Sequence, residues 1–164
     1  MLLNSNNVAQ FLTESKFSER AQVGIDCSVK AISKIVGGFI GNKQKSIQSY
    51  QLIKPKDYSF KGKNVFGWQL KPGIYSLTFN EGINLDSKHS AFVKQKSSVL
   101  RCGGLITSGV FDPGFNCEEA GATLFVFSNH FLLEENAQVA QMLIFENQEA
   151  ELYNGNYQGD KDLK

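Results

Sequence analysis

The sequence predicts an all-β protein, a barrel or a sandwich, that begins with one short helix. From residue 25 onward, apolar and polar residues alternate in short segments at regular spacing, which is typical of strands. Turn-forming Gly, Pro and Asn residues occur between these segments. A helical spacing of apolar residues is found near the start of the chain. This cadence favours a sandwich or barrel over a sheet of alternating strands and helices.

The predicted helix covers residues 5–14, SNNVAQFLTE. Val8, Phe11 and Leu12 follow the spacing i, i+3, i+4 and form one apolar stripe. Ser5 is suited to cap the helix, because its hydroxyl can accept a hydrogen bond from an unpaired backbone N–H group of the first turn. We expect this helix to pack against the sheets rather than to carry chemistry.

The strand predictions follow in chain order. The segment IDCSVKAISKIVGGFI at 25–40 predicts a strand pair or one bent strand, with a bulge or turn at the two glycines 37–38. The polar stretch 41–64 predicts a long hairpin or an exposed loop. A Pro-Gly turn at 72–73 leads into the alternating segment IYSLTF. Four later segments are further strand candidates: HSAFVKQ, GLITSGVF, ATLFVFSN and AQVAQMLIFE.

Length and charge narrow the possible functions. The chain of 164 residues is long enough to bury one core, and we expect a single domain over 1–164 with a mobile tail over 153–164, since that tail is rich in Gly, Asn and charge. The net charge of +1 and the scattered lysines disfavour nucleic acid and anionic membranes as partners.

Cysteine usage and the N-terminal segment predict a cytoplasmic protein. Cys27, Cys102 and Cys117 are an odd number without the spacing of a zinc site, which favours free thiols in a reducing compartment. The start of the chain lacks the basic and apolar regions of a signal peptide. No stretch approaches the ~20 apolar residues of a membrane helix.

Arginine is rare, and one arginine stands beside two serines. Of the 17 basic residues, 15 are lysines, and Arg20 and Arg101 are the two arginines. A guanidinium can bind phosphate or carboxylate through two hydrogen bonds, so Ser97, Ser98 and Arg101 are candidates for anion binding. A surface arginine and a strand-ending turn at the serines are the simpler alternatives.

Asp112 is the candidate acid. A carboxylate can accept a proton from water when it lies within hydrogen-bond reach. Asp112 also precedes Pro113-Gly114, and aspartate in that position commonly caps its own turn.

Six short motifs stand in one order along the chain: QVGIDCSV, LKPGIYSLTFNEGINL, KSSVLRCGG, TSGVFDPGF, AQVAQMLIFE and NYQG. Together they resemble the dCTP deaminase and dUTPase superfamily, in particular its dCTP-deaminase-like branch. KSSVLRCGG is similar to that family's Arg-Ser-Ser-Leu-x-Arg-x-Gly, with Lys96 in place of the first Arg. TSGVFDPGF is similar to Thr-Ala-Gly-x-x-Asp-Pro-Gly-aromatic.

The resemblance implies a distorted jelly-roll or β-clip barrel, a homotrimer, Mg²⁺ and a deoxypyrimidine nucleoside triphosphate bound between subunits. It implies that Asp112 is catalytic, near the sugar and the attacking water, and that Asp26 touches the metal through water. The implied substrate-binding residues, from the phosphates to the deoxyribose and the closing tail, are Lys96, Ser97, Ser98, Arg101, Thr107, Phe115, Gln141, Tyr157 and Gln158.

Departures from the resembled pattern decide between the possible reactions. The glutamate that deaminases of this family use falls on Phe125 or Val126, and their histidine falls on Leu105. The asparagine of trimeric dUTPases falls on Ile106, a departure that counts against the usual recognition of uracil. Apolar side chains cannot move protons, so we expect a dUTPase-like pyrophosphohydrolase that converts dUTP and water to dUMP and diphosphate. The alternatives are a dCTP deaminase, including a bifunctional dUMP-forming one, and a non-catalytic protein that binds deoxynucleotides.

Overall fold

The computed structural model describes residues 1–13, 15–42, 46–148, 151–155 and 158–159. Fourteen strands, two α-helices and one 3₁₀ turn make up the described elements. The helices are α1, Ser5–Val8, and α2, Ser97–Arg101, and the 3₁₀ turn is Ala9–Phe11. The strands, β1 to β14 in chain order, are Leu12–Thr13, Glu19–Arg20, Ile25–Phe39, Ile47–Ile53, Lys56–Phe60, Lys63–Leu70, Gly73–Phe79, Gly82–Asn84, His89–Gln95, Gly104–Thr107, Asn116–Cys117, Gly121–Val126, Phe131–Glu134 and Gln138–Glu146.

Six antiparallel strands close into a barrel. The order runs β14, β9, β10, β12, β7 and β3, and β3 pairs again with β14. Along β14, Ala140, Met142 and Ile144 point inward and are fully buried, while the residues between them are half-buried on the outer face. Closure leaves no unpaired edge within the ring, which stabilises a small β protein against edge-to-edge association.

Two three-stranded sheets pack beside the barrel, in the orders β1-β8-β11 and β13-β6-β5. Trp68 on β6 is buried and donates its indole N–H to the carbonyl of Ile53 at 2.7 Å, so the large ring is both packed and hydrogen-bonded. The prediction of an all-β barrel with a short N-terminal helix is confirmed. The described helices have four and five residues, and no helix in this part of the chain is long and apolar enough to cross a membrane.

The N-terminal helix is shorter than the predicted range 5–14. α1 ends at Val8, and Leu12 leaves helical geometry to pair with Ile83 across β1 and β8. Asn4, not Ser5, caps the helix, because its side chain accepts the N–H of Asn7 at 3.2 Å. The predicted apolar positions Val8 and Phe11 are buried in the core, so the stripe was correct although pairing with a neighbouring strand ended the helix early.

The segment at 25–40 is one long strand, β3, with a register shift between Ile35 and Gly37. This matches the bent-strand alternative and its predicted bulge. The stretch 41–64 contributes β4, which pairs with β3, and β5 and the start of β6, which pair with each other, so its described residues form strands rather than an exposed loop.

Glu81 is a buried carboxylate that ties three segments together. It is fully buried and accepts hydrogen bonds from the hydroxyls of Ser15, Ser18 and Ser28 at 2.8–2.9 Å and from the Ser28 N–H at 2.8 Å. Four donors satisfy a charge that would otherwise be costly to bury. The segment before β2 and the turn before β8 are thereby fixed to β3.

Candidate active site

The predicted serines and arginine lie on the five-residue helix α2, which connects β9 to β10. Val99 is buried and anchors this helix, whereas Ser97, Ser98 and Arg101 are exposed. The strand-ending turn considered for the two serines is therefore a helical turn. Gly103 follows with φ +83°, a conformation that glycine adopts without steric cost and that lets the chain enter β10 directly.

Lys96 precedes α2 and forms an ion pair with Asp26 on β3. Its ammonium also lies 3.4 Å from Oε1 of Gln138, and its backbone N–H donates to the carbonyl of Val139 at 2.8 Å. The start of α2 is thus fastened to both β3 and β14. The other Asp26 oxygen, Oδ1, is buried and has no hydrogen-bond partner in the described part of the chain.

Seven polar residues that are paired across neighbouring strands form a row, the polar row, on the outer face of the barrel. Each member is the Cα partner of the next across neighbouring strands. Directly opposed residues of antiparallel strands share a face, so the row brings predicted site residues from β3, β14 and β10 onto one band. The members in order are Asp26, Gln141, Lys94, Thr107, Thr123, Ser76 and Ser33.

Asp112 begins a tight turn beside this band. The carbonyl of Asp112 accepts the N–H of Phe115 at 3.0 Å, and Gly114 has φ +81°, as the third position of a type II turn requires. The Asp112 side chain is exposed and makes no hydrogen bond with a described residue. Phe111, just before it, pairs with Ala91 of β9.

A second contact holds the turn from outside. The N–H of Gly114 donates to the carbonyl of Asp86 at 3.0 Å. The Asp86 carboxylate bonds to the Lys88 N–H at 2.8 Å and to Nδ1 of His89 at 2.6 Å. Burial of Asp86 opposes its charge, but these hydrogen bonds outweigh burial and lower its pKa. The ionised carboxylate thus stabilises the loop that supports Asp112.

A cavity of about 360 Å³ opens along the polar row, and Phe111, the residue before Asp112, is part of its lining. Its lining includes Thr107, Ser108, Phe111 and Thr123, and the Ser108 hydroxyl accepts the N–H of Val93 at 2.8 Å. The size lies within the range of small-molecule sites. Thr107, predicted from the resemblance, therefore faces a cavity of suitable volume.

The strand register shows which of Phe125 and Val126 lies on the outer face of the barrel, where the cavity opens. Phe125 is the Cα partner of Leu105, and both are half-buried on the same outer face as Thr107. Val126 points inward and is buried. Phe125, and not Val126, therefore occupies the outer-face position at which the glutamate of the resembled deaminases is expected.

The described part of the tail lies against the Asp112 turn of its own chain. Gln158 donates to the carbonyl of Gly114 at 2.9 Å and accepts the N–H of Asn116 at 3.3 Å. The Phe115 ring contacts that of Tyr153 edge-on, with centroids 5.3 Å apart. Tyr157 lies outside the described residues. The substrate contacts predicted for Phe115, Gln158 and Tyr157 stay predictions.

The strand β9 separates the two halves of the predicted site. Phe111, the residue before Asp112, pairs with Ala91 near the start of β9, whereas Lys96 and α2 follow its end. Five residues of extended strand span roughly 17 Å. Within one chain, Asp26, Lys96 and Gln141 gather near α2, and Asp112 lies at the other end of the strand.

Sequence reasoning missed Lys94, Ser108 and Glu81. One available signal pointed to Lys94, because residues two apart on a strand share a face and Lys94 stands two before Lys96. Ser108 directly follows Thr107 in a resembled motif, but its bond to Val93 depends on the strand pairing. Glu81 gave no signal, since its serine partners lie far away in sequence.

These features define the class of protein: a small closed antiparallel β-barrel with a serine-bearing helical connection beside a polar outer band. The chain belongs to the dCTP deaminase-like family, whose model matches residues 6–147.

Archaeal relatives match most of the chain. A probable deoxyuridine 5'-triphosphate nucleotidohydrolase of Aeropyrum pernix is 34% identical over 142 residues, which cover 84% of this chain and 83% of the relative. A protein of the same name from Methanosarcina mazei is 29% identical over 171 residues, covering 97% of each chain.

Among solved structures, a 2'-deoxycytidine 5'-triphosphate deaminase from Agrobacterium tumefaciens matches with a TM-score of 0.61 and 9% identity. The match covers 87% of this chain and 47% of that one, so this chain spans about half the length of that protein. At this identity the likeness concerns the fold alone.

Proposed function

We propose that this protein is a dUTPase-like pyrophosphohydrolase that converts dUTP and water to dUMP and diphosphate. The names of the archaeal relatives support this activity. The observation that carries it is the pairing of Leu105 with Phe125 on the outer face that also bears Thr107. Deamination needs an acid and base at the pyrimidine ring, and two apolar side chains supply neither, whereas the exposed Ser97, Ser98 and Arg101 suit a polyphosphate.

In the proposed reaction, the oxygen of a water molecule attacks the α-phosphorus. The bond from that phosphorus to the oxygen bridging to the β-phosphorus breaks, and diphosphate leaves with the bonding electron pair. Asp112 accepts the proton of the attacking water. The two serine hydroxyls, the Arg101 guanidinium and the Gln141 amide orient the phosphates and stabilise the charge that spreads over them.

The described residues do not fit a magnesium site built from protein groups alone. No group of three or more His, Cys, Asp or Glu side chains in the described part of the chain could hold a metal ion. One oxygen of Asp26 is paired with Lys96 and the other is buried, so the carboxylate is poorly placed to bind a metal-bound water. Mg²⁺ is therefore proposed as a companion of the substrate phosphates, whose charge it neutralises.

A homotrimer with shared sites is also proposed. The separation of Asp112 from α2 along β9, roughly 17 Å by strand rise, exceeds what one attacking water and its phosphate can bridge. We therefore propose that a site using both groups combines α2 of one copy with the Asp112 turn of another. The three cysteines are free thiols, which suits the proposed cytoplasmic location.

A screen of all deoxynucleoside triphosphates with Mg²⁺ tests the proposed activity, with diphosphate and ammonia measured in parallel. The proposal expects diphosphate without ammonia, with dUTP as the best substrate. Ammonia from dCTP would support the deaminase instead. Tight nucleotide binding by calorimetry without either product would support a non-catalytic binding protein.

A further inference from the structure

Lys94 is the third of the seven members of the polar row, and no role follows for it from the resembled motifs. It lies on β9, with Gln141 of β14 as its Cα partner on one side and Thr107 of β10 on the other. Directly opposed residues have Cβ atoms about 5 Å apart. The Lys94 side chain therefore leaves the barrel between two side chains that are proposed to contact the nucleotide.

The neighbouring lysine is already neutralised. Lys96 pairs with Asp26, whose side chain is 8% exposed, and its ammonium also lies beside Gln138. A cation and a carboxylate in contact present little net charge to a third group. Lys96 replaces the first arginine of the resembled motif. The positive charge expected at that position is therefore paired with Asp26 and is not free to bind a substrate.

Lys94 has the opposite environment. Its side chain is exposed, and it forms no ion pair or hydrogen bond with any residue in the described ranges. Its four-carbon stem and three donor hydrogens let it reach a mobile anion from several directions. Two residues further along the same face, the strand leads into α2, where Ser97 and Ser98 begin the helix.

We propose that the Lys94 ammonium binds the polyphosphate of the substrate. It does so instead of Lys96, whose ammonium is held by Asp26. This assignment rests on the proposed function, because it takes a nucleoside triphosphate as the ligand. It makes Lys94 a substrate-binding residue and sets this chain apart from one with a free arginine at position 96.

The test compares Lys94→Met, Lys94→Gln and Lys94→Arg with the control Lys63→Met, whose lysine is exposed on β6, away from the polar row. Lys94→Met and Lys94→Gln should raise KM for dUTP about tenfold and leave kcat within about twofold, since the charge binds ground and transition states alike. Lys94→Arg should recover most of the affinity, and Lys63→Met should match the wild type.

Calorimetry with inorganic tripolyphosphate separates this proposal from the proposed reaction. If Lys94→Met binds tripolyphosphate more weakly than the wild type and loses less affinity as salt rises, Lys94 is supported as the phosphate ligand. This holds even if the wild type hydrolyses no nucleotide. Absence of hydrolysis by itself overturns only the hydrolase assignment. Unchanged KM and tripolyphosphate binding in Lys94→Met or Lys94→Gln would overturn the Lys94 assignment. An equal loss in Lys63→Met would overturn it too, because the effect would then come from overall charge.

Discussion

At the scale of single residues, environment separates groups of the same chemical type. Asp26 is 6% exposed and paired with Lys96, whereas Asp112 is exposed and makes no hydrogen bond to a described residue. Of these two aspartates, Asp112 is the one that offers a carboxylate to an incoming water. The same contrast distinguishes Lys96, which is held by Asp26, from the exposed Lys94.

Replacing Asp112 with asparagine should lower kcat for diphosphate release by about 10²-fold or more, because the amide cannot accept the proton of the attacking water. KM should change little, since Asp112 is not proposed to bind phosphate. Steady-state kinetics with dUTP measure both constants. A kcat equal to that of the wild type would remove Asp112 from the reaction.

The three cysteines should react at very different rates. Burial raises the pKa of the Cys27 thiol well above its ordinary value, and the nearby carboxylates of Glu81 and Asp26 add to the shift, so little reactive thiolate forms. Cys117 is also buried, whereas Cys102 is exposed. A chromogenic disulfide should label one thiol rapidly in the native protein and three in denaturant. Rapid labelling of two or more in the native state would contradict the described burial.

At the scale of elements, polar contacts between distant parts of the chain hold the segments that carry the proposed site. Lys96 fastens α2 to β3 and β14, and the Asp86 carbonyl supports the turn at Gly114. Glu81 joins the segment before β2 and the turn before β8 to β3. Each contact links parts that are distant in sequence, so losing one should loosen a whole element.

Glu81→Ala should lower the free energy of unfolding by about 3 kcal/mol or more, because two buried donors of Ser28 and the part-buried hydroxyls of Ser15 and Ser18 lose their acceptor. Urea denaturation followed by circular dichroism measures the change. Glu146→Ala is the control, since that side chain is exposed at the end of β14, and it should stay within about 0.5 kcal/mol of the wild type. Equal losses in both variants would show that Glu81 has no special role.

Local patterns predicted the strands better than the connections between them. The segment HSAFVKQ is β9 in full, and alternation identified the inward residues of IYSLTF, because each signal lies within a few residues. α2 was not predicted as a helix, since five residues are too few for a helical period to appear. Lys94 and Glu81 depend on partners across the sheet or along the chain, and a single sequence does not show register.

At the scale of the whole molecule, the proposed phosphate-binding groups and the proposed proton acceptor lie at opposite ends of β9. Lys96 and α2 lie beyond one end, and Asp112 lies beside the other. Neither end holds both the phosphate donors and the proton acceptor. We therefore expect one working site to combine α2 of one copy with the Asp112 turn of another.

Mixing two inactive variants tests this claim most directly. Arg101→Ala removes the guanidinium proposed to bind phosphate, and Asp112→Asn removes the proposed proton acceptor, so each variant alone should release almost no diphosphate from dUTP. Co-expression of the two in equal amounts should restore roughly one quarter of the wild-type activity, because a randomly mixed trimer forms that fraction of intact shared sites. No recovery in mixed oligomers confirmed by mass, or a protein that is monomeric in light scattering yet fully active, would contradict the shared site.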